Sequence, residues 1–137
     1  MHHFIFPTQD TWISSGSSTI DGTSFKDKNF GRDQILELKK EFHDLSFNYQ
    51  TRTLLQFDIS EISKSMVKSV SQGTYPTDIS NPKFYLRLYE AEGNRELSTE
   101  YKLAAFPISQ SWDEGRGKSF DDPKVTNGVS WENRSYP

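Results

Sequence analysis

Hydrophobic and polar residues alternate along several short stretches of the chain, which is the pattern of half-buried β-strands. In residues 10–15, Trp12 and Ser14 fall on one face of an extended chain, while Thr11 and Ile13 fall on the other. The same two-residue period predicts further strands over residues 34–39, 51–59, 83–90 and 101–109. The pattern therefore predicts an all-β domain.

One segment departs from the two-residue period and follows a helical one. Ile62, Met66 and Val70 are spaced four residues apart, which places them on one face of a helix. Asp58 is suited to cap the start of this helix, and Gly73 is suited to end it. We therefore expect one short helix after the strand at 51–59.

Two segments between the predicted strands are rich in residues that form turns. Residues 14–33 contain many Ser, Gly, Asp, Asn and Lys residues and predict a long loop. Asn127 and Gly128 form a pair inside residues 124–131, and an Asn-Gly pair readily adopts the positive φ angles of a type I′ turn. We therefore expect a hairpin at residues 124–131.

The composition narrows the class of protein and its partners. A chain of 137 residues has the size of a single domain, which we place at 1–137. The net charge of -3 provides no basic field for a nucleic acid backbone, and the absence of cysteine excludes disulfides and thiolate metal sites. The first residues lack the pattern of a secretory signal, and no apolar stretch is long enough to span a bilayer. We expect neither a nucleic acid nor a membrane as partner.

The stretch at residues 108–120 combines a tryptophan, adjacent acids, glycines and bases. Asp113 and Glu114 are consecutive, so on an extended chain their side chains point in opposite directions, whereas the carboxylates of a glycosidase converge on one bond. A phosphate-binding P-loop would need a glycine where Trp112 stands. We therefore predict that the protein is not an enzyme. The alternative is a glycosidase or lyase that uses a carboxylate from elsewhere in the fold.

Acidic side chains in the loops are candidate oxygen ligands for a hard cation such as calcium. Asp10, Asp113 and Glu114 are the first candidates for such a site, although the spacing of an EF-hand is absent. Calcium is the only cofactor that the sequence suggests. The alternative is that these acids cap turns and keep the loops soluble.

Basic and aromatic side chains suggest a different kind of site, one that binds an acidic polysaccharide. The bases cluster in the first third of the chain and are Lys26, Lys28, Arg32, Lys39 and Lys40. The aromatic candidates for a sugar-stacking surface are Trp12, Tyr49, Trp112, Trp131 and Tyr136. For the bases the alternative is a solvated surface, whereas Trp112 and Trp131 are assigned by default to the core.

Six short motifs follow one another along nearly the whole chain. They are DTWISSGSS (10–18), QILELKK (34–40), RTLLQFDISEI (52–62), FYLRLYEAEG (84–93), FPISQSWDEGRG (106–117) and VSWENRSYP (129–137). In this order they resemble the DNRLRE-type domain, which is related to the alginate-binding carbohydrate modules. The resemblance implies a jelly-roll β-sandwich that usually lies on extracellular surfaces and has no catalytic activity of its own.

The resemblance also implies which positions recur in the family. In this chain they are Asp10, Thr11, Arg52, Phe57, Asp58, Arg87, Trp112, Asp113, Glu114, Gly115, Trp131 and Arg134. The implied roles are structural: Trp112 anchors a turn in the core, and Gly115 permits a tight backbone. Asp113 and Glu114 bond loop amides or help to hold a cation. The stretch at 108–120 is then a folding motif.

This chain departs from the family in two ways, and the first of them suggests a phage virion. The chain shows no signal peptide, and it stops at Pro137, where the family continues with further strands. We therefore expect a structural or adhesion component of a virion tail, baseplate or capsid decoration, made in the host cytoplasm and assembled with other virion subunits or with itself. The alternative is a carbohydrate-binding module for an acidic polysaccharide such as alginate, located outside bacteria or on their surface.

Missing final strands would leave the predicted sandwich with an open edge. A strand near Leu86 or Leu55 would then carry unpaired backbone groups and an apolar face. We expect a neighbouring subunit to supply the missing strand by strand addition. The alternative is that residues 4–6 of the same chain close the sheet.

Overall fold

The computed structural model describes residues 4–43, 47–58, 60, 63–64, 67, 71–73, 83–93 and 102–135. The chain divides into two compact units. The first comprises Met1–Phe57 and Ile108–Pro137, and the second comprises Asp58–Pro107. Within the described residues, no helix is long and apolar enough to cross a bilayer. The single domain at 1–137 stays a prediction.

The first unit contains a three-stranded antiparallel sheet. Its strands are β1 (Gln9–Ser14), β2 (Lys40–His43) and β3 (Phe47–Gln56). β3 lies in the centre of the sheet: its later residues pair with β1, so that Thr53 lies opposite Trp12, and its first residues pair with β2. This sheet agrees with the predicted all-β class, whereas the jelly roll stays a prediction.

Both faces of β1 are covered by large side chains. On one face the Trp12 indole stacks on the Phe30 ring, with 3.7 Å between the ring centroids. On the other face Ile13 packs with Trp112 and Val129. All of these side chains are buried, and burial of one large apolar side chain contributes about 1.5–3 kcal/mol to stability. The core of the first unit therefore lies on either side of β1.

A fully buried asparagine joins three loops beside this core. Asn29 donates through Nδ2 to the carbonyl oxygens of Glu114 (2.8 Å) and Val129 (2.9 Å). Its Oδ1 accepts hydrogen bonds from the backbone N–H groups of Gly31 (3.1 Å) and Gly117 (2.8 Å). Because both donors and both acceptor positions of the amide are satisfied, its burial carries no unpaired polar group.

Two of the predicted strands are present with shifted ends, and a third is absent. The strands predicted over 10–15 and 51–59 correspond to β1 and β3. The strand predicted over 34–39 is wrong, because the strand in this region is β2, which begins at Lys40. Ile35 and Leu38 are both exposed, so the alternation in 34–39 does not bury a face.

The hairpin predicted over residues 124–131 is also wrong. Gly128 does adopt a positive φ of 103°, as expected of an Asn-Gly turn. The flanking residues form no strands. Instead, the N–H of Val129 donates to the carbonyl of Asp113 (2.7 Å), and this segment is tied to the loop at 112–117.

Two described segments of the second unit lack regular structure. Residues 83–90 and 102–107 are irregular and their side chains, including Arg87, are exposed. The strand predicted over 83–90 is therefore absent, as is the described part of the strand predicted over 101–109. An alternating sequence becomes a strand only when a neighbour pairs with it, and within the described residues neither segment has such a neighbour.

The expected open edge is not found at Leu55. This residue lies within β3, where it pairs with Asp10 of β1. Phe4 and Phe6 are exposed, and residues 4–7 form no strand, so the described residues show no closure by 4–6. Strand addition by a neighbouring subunit stays a prediction.

Only part of the predicted helix lies within the described residues, at 58, 60, 63–64, 67 and 71–73. Asp58 Oδ1 accepts a hydrogen bond from the N–H of Ser60 (2.8 Å), which is the bond that a helix cap makes. Gly73 has a φ of 67°, a conformation that often ends a helix. The residues of its predicted apolar face, at 62, 66 and 70, lie outside the described residues, so the helix stays a prediction.

Candidate binding groove

An open groove of about 450 Å³ lies just beyond the end of β1. Its lining combines two aromatic rings, one lysine and several small polar side chains. The residues are Ser15, Ser17, Ser24, Lys26, Tyr49, Gln50 and Trp131. A concave surface with aromatic rings and a few polar groups is the usual form of a ligand-binding site.

Trp131 provides the largest ring of the groove and is held in place by neighbours. It is half-buried and packs against the core cluster around Ile13 and Trp112. The Arg52 guanidinium lies over the indole, with 4.7 Å between Cζ and the ring centroid, within the range of a cation–π contact. The indole therefore has a fixed orientation while part of it stays open to the groove.

The loop that follows β1 is fastened to β3. The N–H of Ser15 donates to the carbonyl of Gln50 (3.0 Å), and Ser15 Oγ accepts a hydrogen bond from the N–H of Gln50 (3.0 Å). Farther along, Ser17 and Ser24 form an isolated antiparallel bridge. These bonds give the polar lining of the groove fixed positions.

Asp21 stabilises the tip of the same loop. Its Oδ1 accepts a hydrogen bond from the N–H of Thr23 (3.0 Å). Hydrogen bonds from the Thr23 backbone and the Ser18 side chain lower the pKa of Asp21 to about 2. The group therefore remains a carboxylate at neutral pH, which preserves the acceptor that the turn uses.

Lys26 gives the groove a positive charge. Its side chain is exposed, and within the described residues its ammonium forms no ion pair. Its carbonyl accepts a hydrogen bond from the N–H of Glu132 (3.1 Å), which holds the loop next to Trp131. The acidic neighbour Asp27 is bound by Lys124, with 2.6 Å between Nζ and Oδ1, and this pairing lowers the pKa of Asp27. The groove lining itself contains no acid.

Lys28, which was predicted to act with Lys26, lies inside the first unit. Only 5% of it is exposed, and its ammonium donates to the carbonyl oxygens of Ser119 (2.8 Å) and Asp121 (3.2 Å). The Phe25 and Phe30 rings lie 5.6 and 5.8 Å from Nζ. The ammonium of Lys28 therefore serves the fold and is not accessible to a polysaccharide.

The other predicted bases do not line the groove either. Lys39 Nζ lies 2.8 Å from the carboxylate of Glu41, and the hydrogen bond between them raises the pKa of Lys39. Lys40 Nζ lies over the Phe42 ring at 5.8 Å. Arg32 is exposed and lies near residues 116–121. The bases that are neighbours in the sequence are therefore not one cluster in space.

Calcium binding by Asp10, Asp113 and Glu114 stays a prediction. Glu114 Oε1 accepts a hydrogen bond from the backbone N–H of Asp10 (2.9 Å). Asp113 is exposed, and its N–H donates to the carbonyl of Arg134 (3.1 Å). Across the described ranges, no three acidic or histidine side chains are close enough to hold a metal ion. Glu114 instead ties the loop at 112–117 to β1.

The other positions implied by the family resemblance have varied surroundings in the first unit. Thr11 and Trp112 are buried, and Phe57, which follows β3, is half-buried. Gly115 has a φ of 81°. Arg134 is exposed, and its Nη1 donates to the carbonyl of residue 111 (3.4 Å).

Several groove residues were not identified from the sequence. The serines and Gln50 were not singled out, and Trp131 was assigned to the core, although it also faces the groove. The feature of the sequence that could have identified the serines is the run of small polar residues directly after β1. Tyr136, one of the aromatic candidates, lies outside the described residues.

Comparison with known proteins identifies the family. The model of carbohydrate-binding module family 96 matches residues 2–134, which is nearly the whole chain. No curated protein and no solved structure matches. The family assignment agrees with a groove that combines aromatic rings and polar groups. This chain belongs to carbohydrate-binding module family 96.

Proposed function

We propose that this protein binds an acidic polysaccharide in the groove at the end of β1. The observation that carries the proposal is the half-buried ring of Trp131 next to the exposed ammonium of Lys26, in a lining without acids. The apolar face of a sugar ring packs on an aromatic side chain. The carboxylate of a uronate residue would accept a charge-assisted hydrogen bond from Lys26.

The other groove residues support the same ligand class. Serine hydroxyls and the Gln50 amide can donate to sugar hydroxyl groups and accept from them. Arg52 places a second cation beside Trp131. Family membership supports a carbohydrate ligand, and the two cations favour an acidic one.

The proposal does not include catalysis. Hydrolysis of a glycosidic bond generally requires two carboxyl groups around it, and the groove lining has none. Asp113 and Glu114 line a different groove of about 310 Å³, where Glu114 is bonded to the N–H of Asp10. We therefore propose a binding module without enzymatic activity.

The proposed ligand suggests where the protein acts. The family match supports carbohydrate binding, which was the alternative to a virion component. Nothing in the match or in the fold supports a role in a phage particle or the DNRLRE type specifically. We propose that the protein acts outside bacteria or on their surface, where a module can meet acidic polysaccharides.

Calorimetric titration with alginate, polygalacturonate and a neutral glucan tests the proposal. We expect heat of binding with the two polyuronates and none with the neutral glucan, because only the polyuronates offer a carboxylate to Lys26. Affinity should fall as sodium chloride is added, since salt screens exposed charges. Absence of binding to every polyuronate, or binding that is insensitive to salt, would refute the acidic ligand.

A pair of matched variants locates this binding. Lys26→Met should weaken alginate binding about tenfold, because it removes one charge-assisted hydrogen bond. Lys40→Met removes the same charge from a residue outside the groove lining and should leave the affinity within about twofold of the original. Equal losses in the two variants would indicate nonspecific attraction to surface charge.

A further inference from the structure

The loop at residues 117–121, which we call the Phe120 loop, is fixed by hydrogen bonds from outside it. The N–H of Gly117 donates to Asn29 Oδ1 (2.8 Å), and its carbonyl accepts from the N–H of Arg32 (2.9 Å). The N–H of Ser119 donates to Asp33 Oδ1 (2.9 Å). Asp33 is itself anchored, because its Oδ2 accepts from Trp12 Nε1 (2.9 Å).

Further hydrogen bonds form within the Phe120 loop and between this loop and Lys28. The N–H of Lys118 donates to Asp121 Oδ2 (2.8 Å), and the N–H of Asp121 donates to the carbonyl of Lys118 (3.2 Å). The buried ammonium of Lys28 donates to the carbonyl oxygens of Ser119 and Asp121. Four of the five residues therefore have both backbone polar groups bonded, and the loop has a defined conformation before it meets a partner.

This rigid loop presents the ring of Phe120 to solvent, and the half-buried Lys118 lies beside that ring. The Phe120 side chain is 77% exposed, and Lys118 Nζ lies 5.4 Å from the centroid of its ring. Neither side chain takes part in the bonds that fix the loop. Two further bases, Arg116 and Arg32, are exposed. Arg116 directly precedes the loop in the sequence, and the N–H of Arg32 donates to the carbonyl of Gly117. The same segment carries two acids: Asp121, whose Oδ2 is bonded within the loop, and the exposed Asp122.

We propose that the Phe120 loop is a second contact site for the same acidic polysaccharide. The Phe120 ring would pack on the face of a sugar residue, and the ammonium of Lys118 next to this ring would bind the carboxylate of that sugar. Because the loop is already ordered, little conformational entropy is lost on contact. This inference rests on the proposed function, since it assigns the loop and the groove to one ligand.

Two contact sites on one polymer have a measurable consequence. A short oligosaccharide that fills the groove gains nothing from the loop, whereas a polysaccharide that reaches both sites makes the second contact at high effective concentration. The loop should therefore contribute to polymer binding and leave oligosaccharide binding unchanged.

Phe120→Ala tests this inference with alginate and with an alginate tetrasaccharide as probes. We expect tetrasaccharide affinity within about twofold of the original and alginate affinity lowered at least about tenfold. Phe6→Ala is the matched control, because Phe6 is 80% exposed and lies outside both proposed sites; it should change neither affinity. Both variants should retain their thermal stability, since each removes an exposed ring.

Comparison with Trp131→Ala separates the two proposals. If Phe120→Ala binds alginate as well as the original protein, the loop site is refuted and the groove stands. If Trp131→Ala keeps full tetrasaccharide affinity while Phe120→Ala loses alginate, the groove is refuted and the loop stands. If the original protein binds neither probe, both are refuted. Loss of tetrasaccharide binding in Trp131→Ala, with the expected result for Phe120→Ala, supports both.

Discussion

Replacing Asn29 with alanine is expected to lower the free energy of unfolding by at least about 3 kcal/mol, because it breaks a buried network of hydrogen bonds. The substitution leaves the N–H groups of Gly31 and Gly117 without their acceptor, and the carbonyl oxygens of Glu114 and Val129 without their donor. Water does not readily replace a side chain with no exposed surface. Urea denaturation of the variant and the original protein measures the difference.

An exposed asparagine provides the control for this substitution. Asn133 is exposed, and its hydrogen bonds within the described residues use its backbone: the carbonyl accepts from the N–H of Ser130, and the N–H donates to Ser130 Oγ. Asn133→Ala should therefore change stability by no more than about 0.5 kcal/mol. If Asn29→Ala lowered stability as little as Asn133→Ala, the hydrogen bonds of the Asn29 side chain would not be what holds the first unit together.

Gly115→Ala is expected to be comparably damaging for a steric reason. An added Cβ would lie 2.3 Å from the carbonyl oxygen of Asn127 and from Asn29 Oδ1, far inside van der Waals contact. The φ of 81° at Gly115 also disfavours any residue with a side chain. Because the first obstacle is backbone and the second is a fully bonded side chain, neither can move aside cheaply. We expect a loss of at least about 3 kcal/mol in free energy of unfolding.

Gly22 offers a matched control for Gly115, because it isolates the cost of the backbone conformation. Gly22 has a φ of 75°, close to that of Gly115, but an added Cβ there would meet nothing within 4 Å. Gly22→Ala should therefore cost only about 1–2 kcal/mol, the strain of a positive φ. Equal destabilisation in the two variants, measured by urea denaturation, would show that crowding around Gly115 is not important.

The sequence predicts strands well where a sheet neighbour is present. In β1, the alternation of Trp12 and Ile13 corresponds to two different covered faces. Residues 34–39 show the same alternation, yet they form no strand and Ile35 is exposed. Alternation describes how a strand divides its side chains between faces, but pairing with another strand decides where the strand forms.

The roles of Lys28 and Asn29 were not predictable from local pattern. Both lie in a polar stretch that is typical of a solvated loop. Their burial depends on partners far along the chain: Lys28 bonds Ser119, 91 residues away, and Asn29 bonds Gly117, 88 residues away. A single sequence carries no direct signal for such distant pairs.

The groove was predictable in its components but not in its assembly. Lys26 belonged to the predicted basic cluster, and Tyr49 and Trp131 belonged to the aromatic candidates. Their convergence requires the loop after β1, the strand β3 and the segment near residue 131 to meet. That meeting is a property of the tertiary fold, so the sequence indicated the chemistry without its location.

The most direct test of the proposed groove follows the three indole N–H groups in nuclear magnetic resonance spectra while an alginate oligosaccharide is added. Trp12 and Trp112 are buried, and Trp12 Nε1 donates to Asp33, whereas Trp131 lines the groove. We predict that the Trp131 indole resonance shifts progressively with ligand and that those of Trp12 and Trp112 stay nearly unchanged. Binding that leaves the Trp131 resonance in place while either buried indole moves would contradict the proposed site.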